Sequence, residues 1–282
     1  MFHIIEHTLL DTILLIPFLF LAFLLMEFLE HKMNKSNKNK IINAGKFGPL
    51  VGAILGAFPQ CGFSVASTNL YVTRVISLGT LIAIYLSTSD EMLPIFISNK
   101  VGISFIIYVL LIKIIIGMIA GFIIDLVLRK KVTIKSTNEI KEFCEDEHCD
   151  CKHGILKSAI HHTLSIFVFI YVVELILNIG IHYLGTDTIA NILVNNKILG
   201  PIVASLIGLI PNCASSVVIT ELFLKGAINF GSLIGGLLTG SGVAILVLFK
   251  VNKNLKENLF ILSLVYFIGA LCGIIINILG IL

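Results

Sequence analysis

Four stretches of this chain, residues 9–29, 103–128, 158–184 and 258–282, are apolar over the roughly 20 residues that a helix needs to cross a bilayer. A soluble domain has no place for four such runs, and 57% hydrophobic against 13% charged residues leaves too little polar surface to solvate one. A segment in hydrocarbon must satisfy its own backbone hydrogen bonds, and a helix does so within itself. The expected fold is therefore an all-α polytopic membrane protein. Four further runs, 46–73, 77–97, 199–224 and 227–249, are also apolar but are interrupted by Gly, Pro and polar residues. The N-terminal MFHIIEHTLLD carries no Lys or Arg, and the run behind it has no small-residue exit, so it reads as a retained first span and not a cleaved signal.

The basic residues set the orientation. Of 20 Lys and Arg, five fall in 31–47, seven in 129–157 and three in 250–257. The positive-inside rule assigns all three clusters to the cytoplasm. Both termini are then outside and the 129–157 linker inside, with the chain integral to the plasma (inner) membrane. A net charge of +3 distributed in this way gives no reason to expect a nucleic-acid partner.

An internal repeat sharpens the expectation. Residues 48–96 align without a gap to residues 200–248, with 16 identities, among them Pro59, Cys61, Ser64 and Thr68 over Pro211, Cys213, Ser216 and Thr220. That is far more than a biased composition supplies by chance. The register persists to Gly117 and Gly121 over Gly269 and Gly273. The chain thus divides into a transmembrane repeat over 1–128, a cytoplasmic Cys/His-containing linker over 129–157 and a second repeat over 158–282. The first starts outside and the second inside, so the two repeats have inverted topology, with discontinuous or re-entrant helices as in secondary transporters. Parity between the basic clusters requires one of the broken segments 46–73 and 77–97 to cross completely and the other to return to its own side. The bends fall at PQCG and PNCA, or at STSDE and its counterpart TGSG.

Proline favours the first turn of a helix, so Pro59 and Pro211 are expected to end one half-helix and begin another, aiming unpaired N–H groups into the membrane interior. Unwound backbone at that depth survives only inside protein or against a watery cavity. From each proline a polar stripe continues at helical spacing. Gln60, Cys61, Ser64, Thr68 and Asn69 form one set, and Asn212, Cys213, Ser216, Thr220 and Glu221 the other. A cysteine at a helix N-terminus is readily thiolate and a soft-metal ligand. These ten residues are the expected substrate-binding set; packed proline kinks are the plainer alternative. Asp90 and Glu91 in the second broken segment, and Glu27 and Glu174 elsewhere, are the carboxylates expected to serve ion coupling, since a membrane carboxylate is costly and usually functional. The alternative is that Asp90 and Glu91 sit in water at the outer end of their span and that Glu27 marks the membrane edge. Asp125, one turn from Arg129, reads as a local ion pair.

The linker gathers Cys144, His148, Cys149, Cys151 and His153 within ten residues. One thiolate/imidazole site for zinc or a softer ion is one reading and a solvated charged linker the other. Disulfides do not suit a cytoplasmic loop. No cofactor is required, and a metal ion bound at this linker is the one the sequence allows. Cys272 in the last span reads as packing.

The stretches GAFPQCGFSVASTNLY, GTLIAIYLSTSDEMLP and PNCASSVVITELFLKGAINFGSLIGGLLTGSG resemble the family of ten-span heavy-metal exporters, relatives of the organoarsenical permeases. With the linker, the resemblance covers nearly the whole chain. It implies efflux of a metal or metalloid ion through a repeat-based permease, with arsenic or manganese as substrate. The chain holds no G-x-x-x-x-G-K-[ST] motif, so nucleotide hydrolysis is not expected to drive it. An intramembrane enzyme, with Cys61 or a serine as nucleophile, and a metal sensor built on 144–153 are the competing classes. The expected partners are the metal or metalloid substrate and the lipid bilayer, and the chain is compatible with a homo-oligomer.

Overall fold

The computed structural model describes residues 47–57, 61–89, 92–128 and 197–280, with isolated positions between 13 and 24 and between 160 and 175. Among the described residues every regular element is a helix. The first group is α1 (Gly48–Gly56), α2 (Cys61–Val72), α3 (Leu78–Ser87), α4 (Met92–Ser98) and α5 (Ile103–Leu128). The second group is α6 (Leu199–Gly208), α7 (Cys213–Leu224), α8 (Phe230–Thr239), α9 (Ala244–Val251) and α10 (Leu255–Leu279). Among the described residues, four stretches are long and apolar enough to cross a bilayer: Leu78–Ser98, Ile103–Leu128, Phe230–Val251 and Leu255–Leu279.

Local chemistry fixes these elements. Ser77 caps α3 by accepting from the Thr80 N–H, and Asn229 caps α8 by accepting from the Ser232 N–H. Asn254 caps α10 in the same way, through Glu257 N–H. Pro49 stands in the first turn of α1, where its missing N–H costs nothing. Helices are interrupted at all four loci at which the sequence changes character, between α1 and α2, α3 and α4, α6 and α7, and α8 and α9.

The two groups are built by the same contacts. In the first, α1, α3 and α5 pack on one another; in the second, α6, α8 and α10 do. Helices α3 and α8 are buried along nearly their whole length, whereas α5 and α10 bury only one stripe. On α5 that stripe is Ile106, Val109, Lys113, Gly117, Ala120, Gly121 and Ile124. The opposite face exposes Ile107, Leu111, Ile115, Phe122, Ile123 and Leu126, as an apolar face turned to lipid should. Close approach of backbones requires glycine here. A Cβ on Gly121 would lie 2.5 Å from the Gly79 carbonyl oxygen, and one on Gly273 would lie 2.5 Å from that of Gly231.

Asp125 is a structural tie. It accepts from Ser77 Oγ at 2.6 Å and from the Gly79 N–H at 2.8 Å, joining the end of α5 to the start of α3. Its partner Arg129 of the sequence reading lies outside the described residues. Asn277 does the equivalent work in the second group, accepting from the Gly231 N–H at 2.8 Å. The groups are also interlocked. Helix α2 packs against α9 and α7 against α4, each crossing to the other group.

Candidate functional site

Helix α3 stops at Thr88, whose N–H and Oγ1 both donate to Ile84 O. Helix α7 starts at Cys213, just after Pro211 and Asn212. These two breaks meet at a buried cavity of ≈ 10 Å³, about the room one water needs. Thr88, Ser89 and Lys113 line it from the first group. Asn212, Ser215 and Ser216 line it from the second, closed by Gly240 and Gly242 at the break after α8. Leu237, Met92 and the surrounding Leu81, Ile82, Leu86, Leu233 and Leu238 form the apolar core in which these polar groups are set.

Lys113 is the residue that sequence reasoning missed. It lies within the 26-residue α5, is 1% exposed, and its Nζ donates to Thr88 O, the carbonyl at the broken end of α3. The signal was available: one cation in an otherwise apolar span is expensive and marks function. At the equivalent position of α10 stands Val265, also buried. Lys113 therefore belongs to one half alone.

Of the expected substrate-binding residues, the structure brings Asn212 and Ser216 to the cavity. Cys61 and Cys213 are the first residues of α2 and α7. Ser64, Thr68 and Asn69 are buried on α2. Thr68 Oγ1 donates to Ser64 O at 2.9 Å, and so accepts from Tyr85 OH at 2.6 Å; Ala244 O of α9 lies 3.5 Å from the same hydroxyl. Both polar atoms of the Asn69 amide are buried without a hydrogen-bond partner among the described residues, an uncommon and costly state. Thr220 is buried and donates to Ser216 O at 2.7 Å. Glu221 is not brought to the cavity. It is half exposed and pairs with Lys225 at 3.4 Å, one turn further along α7.

Gln60, Glu27, Asp90, Glu91 and Glu174 lie outside the described residues, as does the linker with Cys144, His148, Cys149, Cys151 and His153. Among the described residues no three His, Cys, Asp or Glu converge as metal ligands. What the cavity offers is a set of hydroxyls, an amide, a main-chain carbonyl and a lysine, most of them buried. Such a set can hold a small polar or hydrated species in passage.

The family model described as "Putative, 10TM heavy-metal exporter" matches residues 3–181 and 163–281. No curated protein and no solved structure matches the chain.

Proposed function

Since the chain belongs to the ten-transmembrane heavy-metal exporter family, we propose that it is a secondary-active permease that exports a metal or metalloid ion of the arsenical type. On this reading the substrate is held between the PQC and PNC breaks, and the halves rock around it. One observation carries it: the PNC break of the second group and the α3 break at Thr88 and Ser89 of the first line one polar cavity, in a chain whose long helices turn apolar faces to lipid. Irregular backbone at membrane depth is tolerated where it lines such a cavity.

The described contacts also support opposed orientation of the two halves. Phe105, near the start of α5, packs on Phe230 at the start of α8. The neighbouring Gly231 is bonded to Asn277 near the end of α10. The start of α5 is thus beside the end of α10, and these two equivalent helices run antiparallel. Inverted repeats predict this and parallel repeats do not.

Substrate class turns on the cysteines. Cys61 and Cys213 at the helix starts suit a thiophilic species such as trivalent arsenic. The oxygen-rich lining of Thr88, Ser89, Asn212, Ser215 and Ser216 favours the second reading, a harder divalent cation such as manganese. Asp90, Glu91, Glu27 and Glu174 are the proposed coupling carboxylates, and the 144–153 cluster a cytoplasmic metal site that tunes transport.

The test is growth of exporter-deficient cells expressing the chain under arsenite, a trivalent organoarsenical, manganese, zinc or cadmium. Protection against one or more is expected. Protection against none, with the protein verified in the membrane, removes the exporter reading. Replacing both cysteines by serine should abolish arsenical protection at least tenfold. Retained protection against manganese alone would establish the second reading.

A further inference from the structure

At two places the same pair of equivalent positions is filled by opposite chemistry. Tyr71 on α2 and Phe223 on α7 are equivalent, and so are Glu257 at the start of α10 and Phe105 at the start of α5. In the first pair, Arg74 grips Glu257 with two hydrogen bonds, Nη1 to Oε1 at 2.8 Å and Nη2 to Oε2 at 3.0 Å. Tyr71 OH donates to the same carboxylate, and the guanidinium lies over the Tyr71 ring, 5.2 Å from its centroid. In the second pair there is no charge. Phe105 and Phe223 stack with centroids 5.8 Å apart and planes within 5°, and Phe96 and Phe230 close edge-on against Phe105 at 5.7 and 5.9 Å.

The two clusters stand at opposite ends of the molecule. Phe105 touches Phe230, beside the Gly231–Asn277 bond at the far end of α10, while Glu257 is in its first turn. A 20-residue separation along α10 is about 30 Å at 1.5 Å per residue, close to the thickness of a bilayer's hydrocarbon core. Helices α2 and α7 each begin at a central break and end at one of the clusters. Both finish with the same closure, Val75 N–H to Leu70 O at 2.8 Å and Ala227 N–H to Leu222 O at 2.9 Å. The closure needs a left-handed residue. α7 supplies Gly226 at φ 70°, whereas α2 places Arg74 there at φ 59°. A Cβ is unfavourable in that region, and its retention puts the guanidinium on Glu257.

We propose that these clusters are the two gates of the permeation path: an ionic gate of Arg74, Tyr71 and Glu257 at the face bearing the basic 250–257 segment, and an aromatic gate of Phe105 and Phe223 at the opposite face. Both are closed in this structure, with room for one water in the cavity at the helix breaks, and this arrangement is the occluded state. Opening toward the basic face parts α2 from α10 and hydrates an ion pair. Opening toward the other face parts α7 from α5 and separates two rings. The gates are unlike because the repeat has diverged at these positions, so the two half-cycles respond to different variables, the first to ionic strength and charge, the second to apolar volume.

The inference rests on the transporter reading, but its test needs no substrate. Ser215→Cys is placed in the full chain, in sealed vesicles of known orientation, and a membrane-impermeant maleimide is added from either face. Modification is read at residue 215 by peptide mass spectrometry, so the native cysteines do not interfere. Low labelling from both faces is expected at first. Glu257→Gln should raise it several-fold from the basic face only, and Phe223→Ala several-fold from the other face only. The exchange Arg74→Glu with Glu257→Arg should return labelling toward the starting level. Should Phe223→Ala not fold, Phe105→Leu and Phe223→Leu, which remove the ring stack and part of the apolar volume, take its place with the same expected face. An increase from the same face for both gates, or no change in variants with an unaltered melting temperature, overturns the proposal. A wrong substrate leaves the labelling result intact, and wrong gates leave the protection assay intact, so the two failures are distinguishable.

Discussion

Lys113 carries the sharpest question at the scale of one residue. An ammonium 1% exposed inside a membrane helix is expensive, and the equivalent Val265 shows that the fold does without it. Replacement of a buried charge by an apolar side chain of similar length is often neutral or stabilising, provided no partner is stranded. One Lys113 bond goes to the Thr88 carbonyl, which the one-water cavity beside it can rehydrate. Lys113→Met is expected to lower export at least tenfold in a protein that still accumulates in the membrane and melts cooperatively in detergent. Equal export by the variant would make Lys113 a packing residue. The lysine was visible in the sequence as the one charge in the middle of an apolar run, but attention to matched positions passes over it, because it has no counterpart. Asn212 and Ser216 were legible because they do have counterparts. Glu221 was selected for its register alone, and register does not report which way a side chain faces: it is half exposed, on Lys225.

At the scale of helices, the α3–α5 and α8–α10 contacts depend on bare backbone. A valine at Gly121 would press its Cβ against the Gly79 carbonyl oxygen at 2.5 Å and the Pro49 ring at 2.8 Å, neither of which can turn aside. Overpacking of this kind costs about 1–3 kcal/mol. Gly121→Val should lower the melting temperature by several degrees, while Gly102→Ala, with nothing within 4 Å of its Cβ, should leave it within a degree or so. Equal melting temperatures for the two would show that α5 can shift away from α3 at no cost. The matched glycines Gly117, Gly121, Gly269 and Gly273 were legible from spacing. So was the proline at each α1–α2 and α6–α7 break, because its missing N–H has a direct consequence for a helix. The breaks after Ser87 and Thr239 were legible only as polar interruptions, offered as an alternative to the prolines; the structure interrupts helices at both kinds of site. The tie from Asp125 to Ser77 and Gly79 was not legible, since a carboxylate one turn from an arginine looks local and its partners lie 46 and 48 residues away in sequence.

For the molecule as a whole, the halves interlock in a way that matched sequences cannot reveal. Periodicity and identity report that two segments are alike, not that α2 of one packs on α9 of the other and α7 on α4. The exchange buries polar atoms between the halves: Thr68 and Tyr85 share a hydrogen bond within the first half, and Ala244 O of the second lies 3.5 and 3.4 Å from their hydroxyls. A half standing alone would expose the α2 stripe of Ser64, Thr68 and Asn69 to lipid, where a polar group without a partner, as in the Asn69 amide, costs several kcal/mol. Two chains divided within the 129–157 linker, 1–143 and 144–282, should therefore accumulate in the membrane only when coexpressed, and should copurify through detergent as one complex. Either half expressed alone should be degraded or aggregate. A half that purifies alone as a stable species, with a cooperative melt like that of the intact chain, would mean that the contacts between α2 and α9 and between α7 and α4 are incidental. The rocking of one half on the other would then need a different pivot.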